Sequence, residues 1–349
     1  MKLNLVVACC ILVLSAESQL PFVIVLQDSI QSSLRGLSVP SERVIWTSGS
    51  RGTVGKSIDG GAHWNWMKIA GYEQRDFRDI EAFDSLNAVV MAVDNPALIL
   101  RTSDGGNHWK VVFRKEAEGM FLDAMHFNGR LGICIGDPLP DPATKQKRFF
   151  ILRSDDRGET WAEDSTFIPA GENEALFAAS GSNIGTTSPR QPAFMFVTGG
   201  SQSFLYTVDP RKRSWRRSQI PVEYGKPAAG AFSMAVVSPA CFFIAGGNYQ
   251  DYWKDTLNIA YTFNGGKSWK QSAAHGYRSC IIGLDKKRLV TCGTNGVDFS
   301  NDGGRSWKLI FGDGNRGTEG FNVCAKSKTG KAVYFAGNGT VAMLQGDPQ

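Results

Sequence analysis

Apolar residues in this chain come in short runs, such as Phe22-Val23-Ile24-Val25-Leu26 and Ala88-Val89-Val90-Met91-Ala92, each soon closed by Gly, Asn or Asp. No stretch holds a helical apolar period long enough to make an amphipathic helix. Short β-branched and aromatic runs between turn-forming residues read as strands joined by tight turns. The pattern predicts an all-β protein.

One motif punctuates the runs: Ser/Thr-x-Asp-x-Gly-x-x-Trp. It occurs as Ser57, Asp59, Gly61, Trp64; as Thr102, Asp104, Gly106, Trp109; and as Ser154, Asp156, Gly158, Trp161. Thr262, Asn264, Gly266, Trp269 and Ser300, Asp302, Gly304, Trp307 follow, and Thr207, Asp209, Trp215 form a degenerate copy without the Gly. Each is a hairpin turn in which the carboxylate accepts backbone N–H bonds two or three residues on and Gly supplies positive φ. The Trp opens the next strand with a large apolar ring. Asp59, Asp104, Asp156, Asn264 and Asp302 are therefore structural. Their side chains are engaged by their own turns, and no metal site is expected from them.

The six Trp residues are spaced 45, 52, 54, 54 and 38 apart, the length of a four-stranded propeller blade. The first blade reads 35–39, 44–48, 53–58 and 64–69. The second reads 79–83, 88–93, 98–102 and 109–113. After Trp307 only three strands remain, 321–325, 331–336 and 341–345. Residues 22–26 supply the fourth. The expected fold is a seven-bladed β-propeller of four-stranded antiparallel blades, closed by an N-terminal strand that completes the last blade.

Composition adds compartment more than chemistry. Lys2 precedes an apolar run from Leu3 to Leu14, and small residues Ala16 and Ser18 follow, so residues 1–18 read as a signal peptide and 19–349 as one domain. Val6-Val7-Ala8-Cys9 has the outline of a lipoprotein box but lies too near the start. The run is too short to span a bilayer, and no other segment is long and apolar enough. An exported, soluble monomer is expected, extracellular or periplasmic. The net charge of +5 is mild and the cluster Arg211-Lys212-Arg213 reads as a solvated turn, so nucleic acid is not an expected partner. Five cysteines lie beyond the signal: Cys134, Cys241, Cys280, Cys292 and Cys324. Cys280 and Cys292 can face each other across a hairpin, though buried free thiols are the expectation. Asn338-Gly339-Thr340 is a glycosylation sequon.

The repeated motifs resemble the Asp-boxes of the sialidase superfamily. More narrowly, residues 34 to the end resemble the photosystem II stability/assembly factor-like propellers, in a non-photosynthetic branch often called "oxidoreductase" or "glycosyl hydrolase". The strings that carry this are Val44-Ile45-Trp46-Thr47-Ser48-Gly49, Asp76-Phe77-Arg78-Asp79-Ile80-Glu81-Ala82-Phe83, Gly136-Asp137-Pro138, Ala175-Leu176-Phe177-Ala178-Ala179-Ser180-Gly181 and Gly276-Tyr277-Arg278-Ser279. The resemblance implies a propeller and a binding or assembly role. It brings no catalytic set: the Arg-Ile-Pro motif of true sialidases is missing, and no Gly-x-Gly-x-x-Gly opens a helix, so no cofactor is expected.

Propeller geometry says where a site belongs. Each innermost strand starts at the top face, and the motif turns lie on the bottom face. Polar residues expected at the top are Arg78 and Asp79 in blade two, Asp123 in blade three, Glu174 opening the inner strand of blade four, Tyr249 in blade five, and Arg278 and Asp298 in blade six. These are the candidate ligand-binding residues. Asp79, Asp123, Asp137 and Glu174 are the candidate acids and bases. Either they line a ligand funnel or they pair and plug the channel. The insert 137–148 reads as a long top-face loop. Two functions remain open: a module that docks a protein or glycan on its top face, or a carbohydrate-active hydrolase or lyase.

Overall fold

The computed structural model describes residues 20–187, 193–209, 214–313 and 320–346. The segment 1–18 expected to be a signal peptide and the Arg211–Arg213 cluster lie outside these. The chain forms seven antiparallel sheets, and among the described residues there is no helix. Blade one is Leu34–Ser38, Ile45–Gly49, Thr53–Ser57 and Asn65–Lys68, in that order from the channel outward. The other inner strands are Phe77–Ala82, Leu122–Asn128, Ile184–Thr186, Ala229–Ser238, Cys280–Gly283 and Phe321–Lys326. Each neighbours the next, and the last returns to the first, so the ring closes.

Closure uses both ends of the chain. Phe22–Gln27 pairs antiparallel with Val341–Gln345 as the outermost strand of blade seven, with Phe22 opposite Gln345 and Val25 opposite Ala342. This is the expected arrangement, and it covers an edge that would otherwise be open.

The core lies between blades. Ile45, Cys292 and Phe335 belong to the cluster joining blades six, seven and one; Trp46, Val54, Leu98 and Leu100 join one and two. Between blades three and four, Phe149 meets Phe196 edge-on at 5.0 Å and Tyr206 at 5.3 Å. Each fully buried ring contributes on the order of 2–3 kcal/mol. Strand interiors read as buried runs because a propeller sheet packs on both faces. The outer strands are partly exposed; Asn65–Lys68 keeps Asn65 and Lys68 exposed, with Trp66 and Met67 half-buried, which blunts its free edge.

Two expectations change. Glu174 does not open the inner strand of blade four, which begins at Ile184; it pairs with Gly200 in a short strand added to the sheet of blade five. The insert 137–148 is not a loose loop. Strands Leu131–Pro140 and Lys147–Ser154 continue through it, past a bulge at Gly136/Pro138, and Arg148 binds Asp141 at 3.0 Å across the tip. The prolines fit there because a bulge and a strand end need fewer ladder donors. All five cysteines are buried and free, with Cys280 directly opposite Cys292.

Candidate functional site

The five motif turns are built alike. In the first, Ser57 Oγ donates to Asp59 Oδ1 at 2.9 Å and accepts from Gly61 N at 2.9 Å, while His63 N donates to Asp59 Oδ1 at 3.0 Å. The same three bonds recur at Thr102, Ser154, Thr262 and Ser300. The side-chain oxygen thus reaches four residues on in every turn, and at Asp302 it also accepts from Arg305 N, three residues on, at 2.9 Å; the Gly N–H goes to the hydroxyl. The residue before each Trp also bonds back: His63 and His108 by Nδ1 at 2.7 and 2.6 Å, Thr160 and Ser306 by hydroxyl at 2.6 and 2.7 Å, and Ser268 by accepting from Asn264. Asp59 and Asp104 are held down to about 2, first by the backbone N–H of His63 and of His108. Asp156 also falls to about 2, where the bonds from Thr160 outweigh burial. These carboxylates are fully engaged.

The opposite end of the channel is built by one crossing segment. Residues 176–183, leading into blade four, run across the ring instead of joining it. Ser180 Oγ donates to Ser279 O at 2.8 Å, and Ser182 Oγ lies 2.7 Å from Ser233 Oγ, fixing the segment to blades six and five. Phe177 stacks on Phe232 at 4.0 Å. On the other side Gly181, at φ +67°, lies flat against the Asp79 carboxyl, where a Cβ would collide. The segment divides the channel in two. Below it lies a compartment of about 440 Å³ lined in part by Ser38, Glu81, His126, Thr186 and Lys328. There Glu81 pairs with Lys328 at 2.7 Å, and burial holds His126 below its usual range.

Above it lies a cup of about 430 Å³ on the top face, floored by Leu176, Phe177, Ala178 and Ala179. Its walls include Arg35, Arg78, Phe121, Phe232, Tyr249 and Tyr277. Arg78 Nε binds Asp76 at 2.7 Å, and its guanidinium lies 5.9 Å from the Phe121 ring. Among the described residues Arg35 has no carboxylate partner. Its Nη1 makes one long bond, 3.4 Å, to Ala179 O. Burial, then the charge of Arg78, pulls its pKa down. The buried Thr294 Oγ1 in the same wall has no partner. The cup presents two guanidinium groups and an unused hydroxyl between aromatic faces.

The expected site residues do not share one funnel; they fall into layers. Arg78 and Tyr249 line the cup. Asp79 lies beneath the crossing segment, 5% exposed, and accepts from Met125 N at 2.6 Å. Asp123 is fully buried, and neither carboxyl oxygen has a hydrogen-bond partner. Burial raises both well above the usual carboxylate range, aided by Glu81 for Asp79 and by Asp137 for Asp123. Asp137 is also raised by burial and accepts from Leu176 N at 3.0 Å, which positions the crossing segment. Glu174 accepts from Thr198 at 2.6 Å, Tyr206 at 3.0 Å and Gly171 N at 2.8 Å. Arg278 is fully buried. Its Nε donates to Asp298 at 2.7 Å and its Nη1 to Asn295 at 2.5 Å and Tyr277 O at 2.9 Å, while Nη2 also binds Asp298. His275 closes the set at 2.5 Å from Asp298, and that bond raises the His275 pKa. Burial pushes Asp298 up, but Arg278 and His275 outweigh it and hold the carboxyl down. Arg278 and Asp298 thus brace the Tyr277 backbone.

Arg35 and the aromatic floor were missed by sequence reasoning. A signal existed: Leu34-Arg35, Phe77-Arg78, Leu122-Asp123 and Phe321-Asn322 place an apolar–polar pair at the same point of four inner strands. Among the described residues, no group of three or more His, Cys, Asp or Glu is arranged to hold a metal ion.

No family model matches the chain. In sequence it is 22% identical over 261 residues to the photosystem II assembly lipoprotein Ycf48 of Synechococcus sp. (strain CC9902), covering 74% of this chain and 70% of that protein. In structure it superposes on Ycf48 bound to D1 peptide with a TM-score of 0.64 at 15% identity, over 93% of this chain and 97% of that one. Ycf48 from Cyanidioschyzon merolae gives 0.61 at 13%, over 93% and 99%. A GH74 xyloglucanase from Xanthomonas campestris gives 0.62 at 12%, over 92% of this chain but 53% of that one. At such identities the structural likeness is one of fold.

Proposed function

We propose that this chain, a propeller of the photosystem II assembly-factor-like kind, is an exported Asp-box binding module whose top-face cup captures an acidic segment of another polypeptide. The observation that carries this is Arg35. A half-buried guanidinium whose one hydrogen bond among the described residues is a long one to a carbonyl has donors left for an anion to complete. Arg78 beside it makes a two-cation seat, and the surrounding rings supply apolar contact of the kind that anchors interfaces. The relative bound to D1 peptide supports a protein partner. A hydrolase reading is less favoured, because Asp79 and Asp123 are buried beneath the crossing segment and Glu174 is saturated by three donors.

The test is titration with a peptide ending in a free carboxylate against its C-terminal amide. The free acid binds more tightly, and Arg35→Ala with Arg78→Ala removes the difference, a loss of roughly tenfold or more. Equal binding of acid and amide overturns the proposal. Export is tested separately by sequencing the mature N-terminus: Gln19 supports cleavage after Ser18, whereas a lipid-modified Cys9 would replace that reading.

A further inference from the structure

Beside the cup, the top of blade five carries apolar surface that the fold does not use. Trp253 is 59% exposed, Tyr249 47%, Leu257 45% and Tyr224 42%. These are not residues of a loose loop. Asn248 Nδ2 and Lys226 Nζ both donate to Asp251, at 3.0 and 3.1 Å. Lys254 Nζ donates to Glu223 at 3.0 Å, and Lys254 N to Asp251 O at 2.9 Å. Tyr252 O accepts from Tyr277 N at 2.9 Å, tying the loop to the cup wall. Leu257 is held at φ +57°, a conformation that branched side chains rarely adopt, and its carbonyl accepts from Glu223 N at 2.8 Å. A braced loop that keeps an indole and a leucine outward at backbone strain is a preformed contact surface.

The surface is continuous with the cup. Phe177 stacks on Phe232; Phe232 meets Tyr277 at 4.8 Å and Tyr249 at 6.2 Å; Tyr252 meets Trp253 edge-on at 5.1 Å. Ala179, Phe232 and Tyr277, with Phe177 and Tyr252 against them, form a cluster of their own on the top face. The aromatic track therefore begins at the Arg35/Arg78 seat and ends at Trp253. Arg35, which has no carboxylate partner among the described residues, and Arg78, which binds Asp76 through Nε only, lie at one end, while Lys226 and Lys254 at the other are paired with Asp251 and Glu223.

We infer that the cup and the Trp253 loop form one bipartite peptide site, in which a carboxylate sits between Arg35 and Arg78 and an aromatic or large aliphatic side chain of the same extended segment packs on Trp253 and Leu257. This rests on the peptide-binding reading above and adds to it the polarity of the bound segment and a second specificity position. An extended chain advances about 3.3 Å per residue, so the site measures the spacing between its two anchors. Trp253 is the dominant apolar anchor, since a rigid indole beside a partly desolvated cup is a typical hot spot.

The experiment uses the full mature chain and acetylated synthetic peptides with a free C-terminal carboxylate. One series carries a single Trp or Leu at spacings of about two to eight residues from the terminus; the control carries Ser there. One spacing binds roughly tenfold tighter than the Ser control. Trp253→Ala removes that preference and leaves the Ser peptide's affinity unchanged. Arg35→Ala with Arg78→Ala weakens every peptide. If Trp253→Ala keeps the preference, or no spacing gives one, the bipartite site is overturned while the carboxylate seat stands. If no peptide binds at all, the peptide-binding reading itself fails. Oligosaccharide binding that is lost in Trp253→Ala, with all peptides silent, would reassign the track to a glycan. Because Trp253 is mostly exposed, its replacement leaves the fold intact, and an unchanged melting temperature checks that.

Discussion

The two faces of the ring treat charge in opposite ways. On the bottom face each motif carboxylate is met by a hydroxyl, a backbone N–H and a further side chain within four residues, so nothing is left for a partner. On the top face Arg35 is given one long carbonyl contact, and Thr294 Oγ1 none. Local sequence can satisfy a turn. It does not satisfy a group that several blades must converge on, and incomplete satisfaction at a concave mouth is where a ligand finds its free energy. The bottom face is therefore scaffold, and the top face is where binding belongs.

The sharpest way to break the contrast is to break the segment that separates the cup from the channel. Gly181→Ala forces a Cβ into the Asp79 carboxyl at φ +67°. It should lower stability by about 1–3 kcal/mol and abolish peptide binding, read by chemical denaturation and titration together. A milder change gives the top face an internal acid of its own. Asn322→Asp, in the cup wall, should weaken acidic peptides by roughly tenfold, with a loss of about 1–3 kcal/mol in stability because the Nδ2 donor to Leu34 O is removed. Unaltered affinity would mean that the guanidinium groups are not the seat. On the bottom face, Thr102→Val removes the hydroxyl that bonds both Asp104 and Gly106 N. A loss of about 1–3 kcal/mol in denaturation, with no effect on binding, is expected.

The smallest effect is also the most diagnostic, because the faces titrate in opposite senses. Asp59, Asp104 and Asp156 are depressed to about 2 from about 3.8, so their stabilisation is present above pH 4 and lost as pH falls toward 2. Asn264, at the same turn position, contributes no such dependence. Asp79 and Asp123 are raised, so their contribution is present at low pH and lost as pH rises through their folded values. Asp59→Asn should flatten the acid limb of a stability–pH curve, and Asp123→Asn the alkaline limb. Flattening of the same limb by both would contradict the assignment.

The contrast also explains what could be read in advance. The turns, the blade spacing and the closing strand were legible because each rests on contacts within one hairpin or on simple strand arithmetic. The residue before each Trp was legible too, had His63, His108, Thr160, Ser268 and Ser306 been compared as a set of hydrogen-bonding side chains. The site was only partly legible. Arg78 and Tyr249 reach the cup, but Arg278 and Asp298 face each other beneath Tyr277, and Glu174 turns to Tyr206. Which polar residues converge depends on how residues 176–183 cross the ring, and that path has no local signature. Gly181 needs a small residue only because Asp79, about a hundred positions earlier, lies beneath it.

The closing strand has a consequence in time as well as in space. Phe22–Gln27 is synthesised long before its partner Val341–Gln345. The ring is latched by a contact between strands far apart in the chain, so blades can form one after another while the circle stays open. Long-range closure of this kind is slow, and it leaves inter-blade surfaces exposed until the final strand arrives. Until that strand is made the chain is an unlatched ribbon, and the cup, which draws on blades one, two, five, six and seven together, comes into being only at the moment of closure.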